Sequence, residues 1–119
     1  MNGGLVALLI GANALAAEQP WVGLWAEEPA ACAGGQQAGP VPPGVIRLSG
    51  TELEGHGLRC TLTRVAPFEG EGAVVFSMIC ERGGETYRDS PLVFVAEDGS
   101  TLSMWGSESY EHLHRCGAE

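Results

Sequence analysis

Leu58-Arg59-Cys60-Thr61-Leu62-Thr63-Arg64-Val65, then Pro67-Phe68-Glu69-Gly70-Glu71-Gly72, then Ala73-Val74-Val75-Phe76-Ser77-Met78-Ile79-Cys80-Glu81 is the stretch whose reading decides the fold. Two runs with period-two alternation flank a segment rich in turn residues, the pattern of an antiparallel β-hairpin. In an extended chain alternate side chains share a face, so Val74, Phe76, Met78 and Cys80 stand together on the second run, and Cys60 and Leu62 on the first. Folding the runs about Gly70 sets Cys60 roughly opposite Cys80, both pointing inward.

The same texture extends in both directions. Gly and Pro recur at short intervals, and helix signals are nearly absent after Ala17. Trp21 to Ala26 reads as a first strand. Glu27 to Gly44, with Pro29, Gly34-Gly35, Gly39-Pro40 and Pro42-Pro43, reads as a long mobile loop that carries Cys32 and offers an adaptable surface. Val45 to Leu48 and Glu52 to His56 flank a Ser49-Gly50 turn. After the central hairpin come Thr86 to Asp89, Leu92 to Ala96, Thr101 to Trp105 and Tyr110 to Cys116, separated by Ser90-Pro91, Glu97-Asp98-Gly99-Ser100 and a last short link. Short strands with tight links predict an all-β protein, a small antiparallel up-and-down barrel of about eight strands. Closure would leave no free sheet edge.

Leu5 to Ala17 is apolar, with no charge until Glu18. It is shorter than the roughly 18 to 20 residues of a spanning helix. Ala14-Leu15-Ala16 satisfies a signal-peptidase pattern. The expected division is therefore a helical signal peptide over residues 1–16 and a single barrel domain over residues 17–119. Export agrees with the cysteines: Cys32, Cys60, Cys80 and Cys116 are an even set without a Cys-x-x-Cys pair, which points to two disulfides in a periplasmic or secreted protein rather than to zinc or a catalytic thiol. Four cysteines allow three pairings, and spacing alone does not choose among them. The net charge of −9, with six arginines and no lysine, disfavours nucleic acid and anionic membrane surfaces as partners. A membrane association is expected only if the N-terminal segment is retained.

Candidate chemistry is sparse. His112-Leu113-His114 puts two imidazoles on one strand face, where both would reach one metal, with Glu111 or His56 as a third ligand; a polar outer face with Leu113 buried is the simpler account. Glu52 and Glu54 share a face and read as a solvated strand surface. There is no Gly-x-Ser-x-Gly elbow. No catalytic, cofactor-binding or metal site is therefore expected. Trp25 and Trp105 are expected to plug the barrel core, with the Arg115 guanidinium laid on the Trp25 ring as a structural clasp if their strands are neighbours.

The signal peptide, Gly23-Leu24-Trp25, a cysteine before Ile46-Arg47-Leu48, a second before Thr61-Leu62, and the run Asp98-Gly99-Ser100-Thr101-Leu102-Ser103-Met104-Trp105 followed by Tyr110-Glu111 resemble the bacterial periplasmic inhibitors of alkaline metalloproteases. The resemblance implies an eight-stranded antiparallel barrel that lodges its N-terminal segment in a protease cleft. It also implies a Cys32–Cys60 disulfide, leaving Cys80 with Cys116; the hairpin register keeps Cys60–Cys80 with Cys32–Cys116 as the competing pattern. The function expected is an exported, non-enzymatic binding or inhibitor module acting on a protein partner, a hydrolase such as a metalloprotease or an envelope protein. The alternatives are a structural or accessory envelope protein and a small-ligand carrier of lipocalin type. Gly-x-Trp also opens lipocalins and avidins, but in about a hundred residues the interior is expected to be filled by side chains.

Overall fold

A computed structural model describes residues 19–34, 39–68, 72–107 and 109–117. The signal segment 1–16, the start at Ala17 and the centre of the long hairpin turn, Glu69-Gly70-Glu71, lie outside the described residues. The strands are β1 (Gly23–Ala26), β2 (Val45–Leu48), β3 (Glu52–Gly55), β4 (Leu58–Pro67), β5 (Ala73–Arg82), β6 (Glu85–Asp89), β7 (Leu92–Val95), β8 (Thr101–Trp105) and β9 (Tyr110–Arg115). All pairings are antiparallel and run β4-β3-β2-β1-β9-β8-β7-β5, with β4–β5 closing the circuit. Nine strands make an eight-stranded barrel because β6 and β7 are successive halves of one partner for β5. β5 pairs with β6 from Met78 to Arg82 and with β7 from Ala73 to Val75. Pro91 sits at the break, where a residue without an amide hydrogen can interrupt a ladder.

The hairpin that decides the fold forms in the expected register, with Cys60 opposite Cys80. These two cysteines are bonded to each other inside the barrel, and Cys32 is bonded to Cys116. The pairing implied by the family resemblance, Cys32 with Cys60 and Cys80 with Cys116, is thus not the one formed. Register explains the outcome: directly opposed inward residues on adjacent strands are each other's nearest neighbours. Cys32 lies instead on a short 3-10 helix, Pro29–Gly34, outside the wall. There Leu24, Ala26, Val41 and Val45 form a second apolar cluster against which Cys32 and Cys116 pack. The described parts of the long loop are therefore tied to the barrel through the Cys32–Cys116 disulfide, Val41 and the Arg47–Gly39 hydrogen bond.

Inside the barrel, Trp25, Leu48, Leu53, Leu62, Phe76, Met78, Val93, Leu102, Met104 and Leu113 form the main core with the inner disulfide. Each buried Leu, Val, Met or Phe contributes about 1.5–3 kcal/mol by leaving water. Trp25 is fully buried, as expected, whereas Trp105 is 45% exposed and does not plug the core. Alternation on β8 accounts for the correction: Leu102 and Met104 point inward, so Trp105 points out, where it stacks with Tyr110 at 5.1 Å.

One end of the barrel is shut. Trp21 packs edge-on against Phe76 at 5.5 Å, and its carbonyl accepts the indole N–H of Trp25 at 2.9 Å. Trp25 and Arg115 are register partners, and the guanidinium lies 4.3 Å from the Trp25 ring centre, forming the expected clasp. Its Nε donates to the Gly99 carbonyl at 2.7 Å, Nη1 to Val22 at 3.1 Å and Nη2 to Pro20 at 2.7 Å. Gly23 makes room for this side chain. Its φ is +145°, and a Cβ there would stand 2.8 Å from Arg115 Nη1.

Arg115→Ala is expected to cost about 2–4 kcal/mol in urea unfolding, because three carbonyls and an aromatic face lose one donor. Arg115→Lys should recover less than half of that, since an ammonium keeps the charge but not the planar fork. Gly23→Ala should destabilise in the same assay. A fully stable Arg115→Ala protein would show that the clasp is dispensable.

Candidate functional site

The opposite end of the barrel is open and holds a cavity of ≈ 390 Å³. Three cross-strand rows build one wall. Nearest the lip, Arg82, Leu58, Gly55 and Ile46 are successive register partners across β5, β4, β3 and β2. One row deeper run Tyr87, Cys80, Cys60 and Leu53. Below them Asp89 stands opposite Met78. All of these line the cavity, and Met104 and Leu113 add apolar lining from β8 and β9. The expectation that side chains fill the whole interior therefore holds at the shut end and fails at the open one. Gly55 contributes no side chain to the lip row, and an eight-stranded barrel is wide enough to leave room for one small ligand.

The facing wall is acidic. On β9 the inward positions are Glu111, Leu113 and Arg115, so this strand carries a carboxylate to the mouth, a hydrocarbon to the middle and a cation to the shut end. Glu27 follows Ala26, which pairs with His114, and so continues the inward alternation of β1 beside β9. Burial pushes the Glu111 carboxyl above the ordinary range, and the negative charge of Glu27 adds to that shift. Among the described residues the ion pairs are Arg47–Glu54 and Arg59–Glu54, both on the outer face, so neither Glu27 nor Glu111 is matched by a cation. Asp89 is held in place by the amide hydrogens of Ser90 and Ser107, which donate to its Oδ1 at 2.8 and 3.3 Å. His56, at the lip, has Nδ1 3.1 Å from the Val41 carbonyl oxygen.

The residues singled out by sequence fall elsewhere. Cys60 and Cys80 line the cavity as a disulfide, while Cys32 and Cys116 staple the outside. Trp25 and Arg115 belong to the shut end. His112 and His114 project outward from β9 with ring centres 5.6 Å apart, and Leu113 between them is buried. His112 is engaged with the Ser103 hydroxyl at 3.2 Å, and among the described residues no group of three or more His, Cys, Asp or Glu is placed to hold a metal ion. Glu54 takes part in outer-face ion pairs with Arg47 and Arg59, and its side chain, 21% exposed, is more covered than the solvated strand face expected of it. Sequence reading overlooked Glu27 and Glu111 as partners. Their common inward phase was readable from alternation, but their proximity depends on β1 lying beside β9.

Glu111 is expected to titrate above an ordinary glutamate in a carboxyl NMR titration. Glu27→Gln should lower that value only part of the way, because burial is the larger cause. The folded state then holds the Glu111 proton more tightly than the unfolded chain does. Stability from this group is complete below the ordinary glutamate value and is lost as pH rises through the raised one. Glu111→Gln should remove that loss, and a Glu111 titrating at or below the ordinary value would contradict the arrangement. No family model, curated protein or solved structure matches this chain, so its function has to be judged by what the mouth can hold.

Proposed function

We propose that this protein is an exported, non-enzymatic binding module that takes a small ligand into the open mouth of its barrel. The observation that carries the reading is the cavity of ≈ 390 Å³. It lies within the range of small-molecule sites, about 300–1,000 Å³, and its lining mixes apolar side chains such as Leu53, Met78 and Leu113 with polar ones such as Tyr87, Asp89 and Glu111. A carrier needs a rigid cup, and this one is shut at the far end by the Trp25–Arg115 clasp. The two disulfides fit an oxidising compartment, and the apolar segment before Glu18 supports export to the periplasm or beyond.

A second reading is an inhibitor directed at a protein partner such as a secreted metalloprotease. It is supported by the family resemblance and by the eight-stranded barrel that the resemblance implies. It is weakened by the disulfide pattern, which departs from the implied one. Titration of the exported protein against a secreted zinc metalloprotease separates the two, and absence of inhibition at micromolar concentration removes the inhibitor reading.

The mouth reading has a direct test at Gly55. A Cβ built there meets Leu58 and Ile46 only at ordinary contact distance, 3.6–3.7 Å, so the backbone position accepts a side chain, and a larger one is expected to project into the lip. A solvatochromic apolar dye is expected to bind the native protein, and Gly55→Phe to weaken it at least about tenfold, or 1.4 kcal/mol, with the thermal transition retained. Equal binding by the two proteins would place the ligand elsewhere.

A further inference from the structure

We propose that the ligand of this mouth is a small organic cation, an ammonium or guanidinium group carried on an apolar body. The proposal rests on the mouth being the binding site and adds the charge of what it takes. Three carboxylates line the cavity, Glu27, Asp89 and Glu111, against one guanidinium, Arg82. Arg82 stands in the lip row, and its register partner across the β5–β6 turn is the acidic Glu85. The formal charge of the lining is therefore negative, three carboxylates to one guanidinium.

The negative wall is built at a cost. Glu111 is half-buried beside another carboxylate, and among the described residues neither has a cation opposite. Glu27 itself is exposed, so the desolvation falls on Glu111. A partly buried carboxylate facing a like charge is unfavourable when empty and gains when a cation enters. Metal ions fit poorly here. The donors line a wide cavity without converging on one point, and no metal-holding group of three is found among the described residues. A diffuse organic cation suits such spacing better. Its apolar part would be met by Leu53, Met78, Met104, Leu113 and the inner disulfide. Tyr87 also lines the wall, an aromatic residue of the kind that attracts an ammonium. The overall charge of −9 would draw such a ligand toward the protein at low ionic strength.

The proposal is tested by calorimetric titration of the full oxidised protein with three probes that share one body: 4-phenylbutylamine, 4-phenylbutanol and 4-phenylbutyrate. The amine is expected to bind about tenfold more tightly than the alcohol, the size of one partly desolvated charged contact, and the carboxylate to bind weakest. The Glu27→Gln/Glu111→Gln double variant should lose the preference for the amine while binding the alcohol as before. Unchanged binding of the alcohol also shows that the variant is folded. Equal binding of amine and alcohol by the native protein would overturn the cation inference and leave the mouth reading standing. No binding of any probe, together with a dye that ignores Gly55→Phe, would overturn both. A preference for the amine that survives in the double variant would overturn the assignment of Glu27 and Glu111 as its source.

Discussion

Closure of the barrel hangs on its narrowest seam. β4 and β5 are joined from Leu58–Arg82 to Pro67–Val74, whereas β1 and β9 share only the Trp25–Arg115 and Ala26–His114 pairs. So short a ladder would fray if backbone hydrogen bonds alone held it. Arg115 compensates from within by stacking on Trp25 and reaching the carbonyls of Pro20, Val22 and Gly99, which belong to segments on both sides of the seam. Cys116 compensates from without. Its amide donates to the Leu24 carbonyl at 2.8 Å, and its sulfur ties the seam to the 3-10 helix.

The two disulfides consequently act on different parts of the molecule. Cys60–Cys80 cross-links a hairpin that is already the longest ladder and forms part of the cup wall. Cys32–Cys116 spans 84 residues and secures the seam together with the outer apolar cluster. In the chain-entropy account, the longer loop restricts the unfolded state more, by roughly 1 kcal/mol between loops of these two lengths. A domain of this size has a modest core, so staples at the weak joint and at the mouth matter more than they would in a larger protein.

The shut and open ends follow from what alternate positions carry. Inward residues toward the shut end include Trp25 and Phe76, and Trp21 covers them. Toward the mouth the inward set is Gly55, Ile46, Leu58, Glu27 and Glu111, which are smaller or charged and cannot close over one another. The same strands therefore yield a packed plug at one end and a cup at the other. Glu111 records the consequence, a carboxyl held partly out of water with another carboxylate for company.

Much of this was legible in the residues themselves. Period-two alternation between Gly- and Pro-rich turns specified an antiparallel β protein, and the hairpin from Leu58 to Glu81 specified that Cys60 faces Cys80, because alternation and register are local properties of the chain. Alternation also held the answer for Trp105, whose phase on β8 is opposite to that of Leu102 and Met104, although aromatic size argued for the core. What local pattern does not contain is which distant strands become neighbours. The meeting of β1 with β9 paired Trp25 with Arg115, brought Glu27 beside Glu111 and placed Cys32 within reach of Cys116. The open mouth likewise emerged only from closure, since a cavity is set by the width of a ring of strands and not by any one of them. The sequence by itself determined the strands, their faces and the inner disulfide's register. The tertiary structure alone decided the seam, the outer disulfide and the cup, because each joins residues that only a closed barrel brings together.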